Sequence, residues 1–486
     1  MNPFPDRPGP RPFLALPALL AAALLLAGCA SLSPDGGEQD VQQLLAGHPL
    51  LADAPVHRAP DEASAAQVEA LLARPLDAEA AVRIALAHSP RMQAAFATLQ
   101  LSDAERVQAA SLPNPVLSFS RLREGRELEL ERLVSFNVVG LIALPWQARW
   151  AGQRHETAKL DAAQQVLQLA ADARRAWVRA VAAQQGAAYL RDARDAAEAG
   201  AELAGRMQRV GNWSTLQAAR EQLLHADAAA QLARAEQAAA SSREQLVRLL
   251  GLDASQAAKL HLPDRLPALP AALPEAGDLQ SQALRDRLDL RAARAGSAAT
   301  ADALGLTRAT RTVNGLELGI ARNTTFANDA DRSRSTQRGW ELDVPIPLFD
   351  WGQSRNARAE ALYLQSAARV RAVALAAASE AREAEAARRH AWQVAHRYQS
   401  EVLPLRRKVN DEMVLRYNAM VSSVWELLAE TRASMLAVNA AMQAQRDFWL
   451  ADVDLQMALT GSSPAGVSAL QGDAGPAVAA ASEGGH

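Results

Sequence analysis

The chain has 486 residues, of which 22% are charged and only 4% aromatic, and its formal net charge is -3. Cations and anions are interspersed, which argues against a nucleic-acid partner; few aromatics with abundant alanine, leucine, glutamine, arginine and glutamate point to long helices packed through small side chains. No Walker loop, dinucleotide fingerprint, HExxH, CxxC or nucleophile elbow occurs, and the scattered histidines, His390 and His396 among them, lack a metal-ligand spacing, so no enzyme, cofactor or metal site is expected.

Residues 1-28 read as a signal peptide: Arg7 and Arg11 precede an apolar run from Phe13 to Leu26, too short for the roughly 20 residues of a spanning helix. Leu26-Ala27-Gly28-Cys29 resembles a bacterial lipobox, and Cys29, the sole cysteine, cannot form an internal disulfide. The resemblance implies lipidation of Cys29 as the mature N-terminus, and Ala30 after it, in place of Asp, implies sorting to the outer membrane. The other reading is an inert cysteine in an ordinary signal peptide. Residues 29-75 are expected to form an irregular, lipid-anchored arm.

From residue 76 the chain reads as a duplicated unit, 76-252 and 278-461. Ala85-Leu86-Ala87 is echoed by Ala283-Leu284-Arg285, Gly152-Gln153 by Gly352-Gln353, and Leu250-Gly251 by Leu459-Thr460-Gly461. In the first half, Leu117 and Phe119, then Val134, Phe136, Val138, Ile142 and Leu144, predict a strand hairpin over about 114-144, with Arg123 to Arg132 as its loop. A helical hairpin is predicted over about 147-250, because no proline interrupts Gln147 to Leu262 and Val166, Leu169, Ala173, Ala176, Ala180, Ala183, Ala187 and Leu190 form a heptad seam. After a break at Gly211 the seam continues through Leu216, Ala219, Leu223, Ala226, Ala230 and Ala233. A first arm from Gln147 to Arg206 would be on the order of 90 Å long at about 1.5 Å per residue. A bundle, a filament-like coil and a wall of helices closed into a tube all fit these small seam residues.

The stretch 253-277, rich in spaced prolines, is expected to be an extended linker between the halves. In the second half, Leu316, Leu318 and Ile320, then Trp340, Leu342, Val344, Ile346 and Leu348, predict a strand hairpin over about 313-348 with Asn323 to Arg338 as its loop, and a helical hairpin follows over about 350-460. Residues 462-486 are expected to be a disordered tail. Trp340 and Trp351 bracket a segment of membrane-strand length, with Trp146 and Trp150 at the same inner edge, which favours membrane strands over a small soluble sheet covered by helices. Open strand edges cannot persist in hydrocarbon and four strands cannot enclose a channel, so several chains must share one barrel; three copies give twelve strands.

Val344-Pro345-Ile346-Pro347-Leu348-Phe349-Asp350-Trp351-Gly352-Gln353, with Leu144-Pro145-Trp146 and Ala110-Ser111-Leu112-Pro113-Asn114-Pro115, resembles the strand-to-helix and helix-to-strand junctions of the TolC family of outer-membrane efflux channels. The resemblance spans about Leu76 to Gly461. It implies a mainly α fold with a transmembrane β part: a homotrimer with a twelve-strand barrel in outer-membrane lipid and a periplasmic α-barrel. It further implies the exit channel of a tripartite efflux system, exporting small molecules or metal ions, with a periplasmic adaptor (a membrane fusion protein) and an inner-membrane pump of the RND type. In the family pattern Val210, Gly211, Trp213, Met420 and Val421 fall on adaptor-contacting tips, and Tyr417, Glu426 and Gln217 on the periplasmic gate. Met420 departs from the glycine of the second tip, Ala429 replaces an acidic ring position, and Gln217 stands where the first tip often has Asp. The alternative is a lipid-anchored periplasmic adaptor or structural coil without a pore. The adaptor would have one hairpin with glycine- and valine-rich soluble β domains, and the coil would leave the alternating segments without a role.

Overall fold

The computed structural model describes residues 31-51, 54-56, 62-124, 127-274, 277-310, 315-327, 334-346 and 348-463. The signal peptide, Cys29 and almost all of the expected tail lie outside them. The chain divides into two compact units: Met1–Gly37, Thr98–Ala158 and Ala293–Arg369 form the first, and Glu38–Ala97, Lys159–Ala292 and Val370–His486 the second.

The first unit is built on one antiparallel sheet in the order β1 (Val116–Glu124), β2 (Glu127–Asn137), β3 (Glu317–Ala327), β4 (Arg334–Asp343). Each half of the duplicated sequence supplies one hairpin, and β2 joins them to β3 from Glu127↔Ala327 to Asn137↔Glu317. Helices α4 (Pro90–Ala110) and α9 (Leu288–Ala309) lead towards β1 and β3. Both expected loops prove mostly strand: β1 continues to Glu124, β2 begins at Glu127, and β3 and β4 run through Asn323 to Ala327 and Arg334 to Arg338. Their alternating polar residues satisfy a ladder as well as apolar ones do, so hydropathy alone placed the turns too early.

The strands also end sooner than expected. β2 stops at Asn137, whose side-chain Oδ1 accepts the Gly140 N–H at 2.7 Å and caps α5 (Val138–Arg209). Val138, Ile142, Leu144 and Trp146 are therefore helical, with Pro145 inside the helix. β4 stops at Asp343, so Trp340 and Trp351 do not bracket a strand.

The second unit holds two helical hairpins. In the first, α5 turns at Gly211 into α6 (Thr215–Leu250), and Arg191 pairs across it with Glu236 at 2.6 Å. In the second, α10 (Gln353–Arg397), a π-helical turn Tyr398–Val402 and α11 (Leu403–Asn418) lead to α12 (Val424–Thr460). The Leu403 N–H reaches Tyr398 O, five residues back, one step before Pro404, which has no N–H to continue an ordinary ladder. The predicted seam is buried along α5, where Val166, Leu169, Ala173, Ala180 and Ala187 are inaccessible, but Leu216, Ala219, Leu223, Ala226, Ala230 and Ala233 of α6 are exposed. The inward positions of α6 are instead Ala218, Glu221, Leu232, Leu246 and Leu250.

The arm expected to be irregular is ordered, and the linker expected to be extended begins with a short helix. The arm forms α1 (Glu38–Leu45) and α2 (Glu62–Leu72), ahead of α3 (Ala78–His88), and buries Val41, Leu45, Leu50 and Leu72. His48 Nε2 meets Thr460 Oγ1 at 2.6 Å; because its Nδ1 accepts the Leu50 N–H and Thr460 itself donates to Gln456 O, the ring is neutral and donates from Nε2. The linker forms α7 (Ala254–Lys259) and then an extended belt, with α8 (Leu279–Asp286) beyond it. Trp392 and Trp449 donate to Pro270 O and Pro267 O, while Leu269 and Leu273 pack against the cluster of Ala395, Ala444 and Phe448. Among the described residues no helix is long and apolar enough to cross a membrane.

Candidate functional site

Two features carry chemistry, one in each unit. The first is the sheet. Side chains alternate between faces along a strand and paired residues share a face, so the register sorts every strand residue. One face carries the rows Phe136, Leu318, Leu342 and Leu117, Val134, Ile320, Trp340, then Phe119, Arg132, Arg322, Arg338, with Arg121, Arg123 and Arg334 further towards the hairpin turns. It holds six arginines and no acid. The opposite face holds seven acids, Glu124, Glu127, Glu129, Glu131, Glu317, Glu341 and Asp343, and no arginine.

The apolar rows are open to solvent in the single chain: Leu117, Phe119, Ile320 and Trp340 are exposed, Trp340 by 74%. Exposure continues past β4 through Val344, Ile346 and Phe349, the last 99% exposed. Trp351 is exposed and precedes Gly352, whose left-handed φ of 73° and N–H bond to Asp350 Oδ1 turn the chain into α10. Trp146 is half-exposed, nine residues beyond the end of β2. Thus only Trp340 of the three aromatics expected at the membrane interface lies on a strand.

The second feature is the pair of hairpin tips, which repeat one design. At the first, Gly211 with φ 79° donates to Gln208 O and Asn212 donates to Met207 O; at the second, Met420 with φ 57° donates to Tyr417 O and Val421 to Arg416 O. Met420 therefore occupies the left-handed position that glycine fills in the first tip. Ser214 and Gln217 cap α6 reciprocally, and Ser423 and Glu426 cap α12 in the same way, with Ser423 N–H on Glu426 Oε2 at 2.9 Å. Two of the gate residues suggested by the sequence, Gln217 and Glu426, thus hold helix N-termini. Tyr417 ends the second outgoing arm, partly exposed, and Val210, Met420 and Val421 form exposed apolar tips.

Sequence reasoning missed the cluster just behind the tips. Glu221 of α6, 0% exposed, accepts Arg432 Nη2 of α12 at 2.5 Å. The Arg432 guanidinium lies 5.4 Å from the Trp425 ring centre, Arg220 stands 5.8 Å from the same ring, and Trp213 meets Trp425 edge to face at 6.2 Å. This ties Trp213 to the second hairpin and closes the two tips on each other. Opposite charges on two helices were the available signal, hidden because Glu221 lies off the seam that the sequence predicted, on the face of α6 that the structure buries.

Among the described residues no cluster of histidine, cysteine or acidic side chains could hold a metal ion. No family model matches the sequence, and no curated protein matches it. Solved structures do. The CmeC outer membrane channel of Campylobacter jejuni is 15% identical, with 81% of this chain and 87% of that chain covered at a TM-score of 0.66. The outer membrane protein VceC of Vibrio cholerae is 15% identical over 79% and 96% at 0.64. The open state of the MtrE outer membrane channel of Neisseria gonorrhoeae is 18% identical over 78% and 88% at 0.63. The long helical hairpins, the four-strand sheet assembled from both halves and these likenesses identify the fold as that of the TolC-type outer-membrane channels.

Proposed function

We propose that the protein is the exit duct of a tripartite efflux system: a homotrimer in the outer membrane, anchored by lipid on Cys29, that passes small molecules or metal ions outward without doing chemistry itself. The observation that carries this reading is the sheet. It has two unpaired edges, β1 and β4, and one face whose apolar rows are exposed, while the only charged residues on the strands of the other face are acids. Three copies joined edge to edge give a closed twelve-strand barrel, apolar towards lipid and acidic towards the bore. The exposed stripe of α6 from Leu216 to Ala233 offers small side chains to a neighbouring copy, as a tube wall requires.

Val210, Gly211, Trp213, Met420 and Val421 then present the tips to a periplasmic adaptor, itself joined to an RND-type inner-membrane pump. Tyr417, Gln217 and Glu426 stand at the entrance, and the Glu221–Arg432 pair with the two tryptophans holds the tips together behind them. The test is the conductance of the purified, detergent-solubilised protein in a planar bilayer. Discrete trimeric channels are expected; a water-soluble monomer without conductance would sink the proposal and favour a coil without a pore.

A further inference from the structure

We infer that the arginine row on the apolar face of the sheet, Arg132, Arg322 and Arg338, binds the phosphate groups of anionic membrane lipid in the leaflet nearest the hairpin turns. This rests on the reading of the sheet as part of a membrane barrel. The register places the three guanidinium groups on neighbouring strands at one level, beside Phe119. Like charges opposite one another across strands repel. Among the described residues none of the three has an ion pair, and their whole face has no acid to supply one.

Closure of a ring does not change this. Each added copy brings the same four strands, so among the described residues of the strands this face of the barrel gains arginines and gains no carboxylate. A charge on the lipid side of a barrel strand is costly at the bilayer midplane and tolerated near its boundary. The row sits at such a boundary. On its helix side every residue of the face is apolar, through Trp340 and Ile320 to Leu342, Leu318 and Phe136, and the exposed Val344, Ile346 and Phe349 prolong that zone. On its other side the face is mixed: Arg121, Arg123 and Arg334 stand with Thr324 and Thr336 and with Leu128, Leu130 and Phe326, the Arg334 guanidinium 5.5 Å from the Phe326 ring centre.

The position therefore brings a belt of unneutralised guanidinium groups to headgroup depth. Arginine offers a planar fork of donors that matches phosphate oxygens two at a time and is weakly hydrated, so phosphate-bearing headgroups fit it better than carboxylates of a mobile protein partner, which would have to enter lipid.

The test uses full-length trimer in phosphatidylcholine nanodiscs carrying trace bisphosphorylated lipid A or its dephosphorylated form, with retained lipid counted by native mass spectrometry and conductance measured in parallel. Retention of the bisphosphorylated form at least tenfold above the dephosphorylated form is expected. Loss of that preference is expected in R132Q/R322Q/R338Q, while E129Q, on the other face, keeps it. If the triple variant does not assemble, R338Q and R132K/R322K/R338K replace it, with a partial loss expected in both. A conducting trimer without preference, a preference that survives the substitutions, or complete displacement by inorganic phosphate at matched concentration overturns the lipid assignment and leaves the channel reading intact. A protein that neither inserts nor conducts overturns both.

Discussion

Replacing Arg287 with Met should loosen the junction where the second repeat begins. Arg287 is 1% exposed and donates through Nε and Nη2 to Asp289 at 3.0 and 2.5 Å, through Nη1 to Glu380 at 2.7 Å, and more weakly to Ala458 O at 3.4 Å. One side chain thus joins the start of α9 to α10 and to the end of α12, and Ser463 completes the network on Glu380 at 2.6 Å. Desolvation works against its charge, but the two carboxylates outweigh it and hold the guanidinium above its ordinary pKa. Methionine fills most of the volume and leaves two half-buried carboxylates without a partner, a loss of about 3–5 kcal/mol for breaking a buried pair. Hydrogen–deuterium exchange reads the local opening. Amides of residues 288-292 and 455-460 should exchange roughly 10² to 4 × 10³ times faster than in the parent, at about 1.4 kcal/mol per power of ten. Because the penalty lies in the stranded charges, R287M/D289N/E380Q should recover most of the protection. Unchanged exchange in R287M, or a triple variant no better than the single one, would refute the assignment of this network as a lock.

His48 should make the arm acid-labile. Burial first, and Arg174 second, push its pKa down from 6.5 to about 4, so the unfolded chain binds the extra proton in that window while the folded chain does not. Stability contributed by neutral His48 is complete above pH 6.5 and falls as pH drops to about 4, by at most about 3 kcal/mol; H48Q should flatten a pH series of arm exchange rates. M420G should stabilise the second tip by up to about 1 kcal/mol, since a side chain at positive φ is strained, while M420A should not, because it keeps the Cβ; exchange at residues 421-427 separates the two. Neutralising the acidic face with E127Q/E129Q/E131Q should lower the cation-over-anion permeability ratio severalfold at 0.1 M salt. That effect should fade at 1 M, where screening acts within about 3 Å; equal ratios at low salt would contradict an acidic bore.

The two hairpins of each kind and the glycine of the first tip were legible because each rests on a local pattern: a period of two, a period of three to four, or a left-handed turn. What escaped depended on partners distant in sequence. Val138, Ile142 and Leu144 extend the alternation of β2, and only the side-chain cap from Asn137 shows that the helix has already begun. The belt after Leu260 looks like a spacer because its prolines lack N–H groups, yet the carbonyls of Pro267 and Pro270 are the acceptors that Trp449 and Trp392 need. The resemblance to a family pattern suggested a gate role for Gln217 and Glu426, but three residues after a serine each is a reciprocal cap, a signature legible in Ser214 and Ser423.

The sorting of charge across the sheet is the deepest of these hidden features. Glu127-Leu128-Glu129-Leu130-Glu131-Arg132 passes for a polar turn when averaged, whereas period two sends its acids to one face and its leucines and arginine to the other. Repeated over four strands with no exception of either sign, the pattern leaves neither face able to neutralise the other through the sheet. A small soluble sheet would gain nothing from that arrangement and would also expose Leu117, Phe119, Ile320 and Trp340 to water. On the proposed reading two different surroundings account for it, a cation-rich aqueous bore against the acids and a lipid boundary with anionic headgroups against the arginines. A barrel wall is the structure that has both at once.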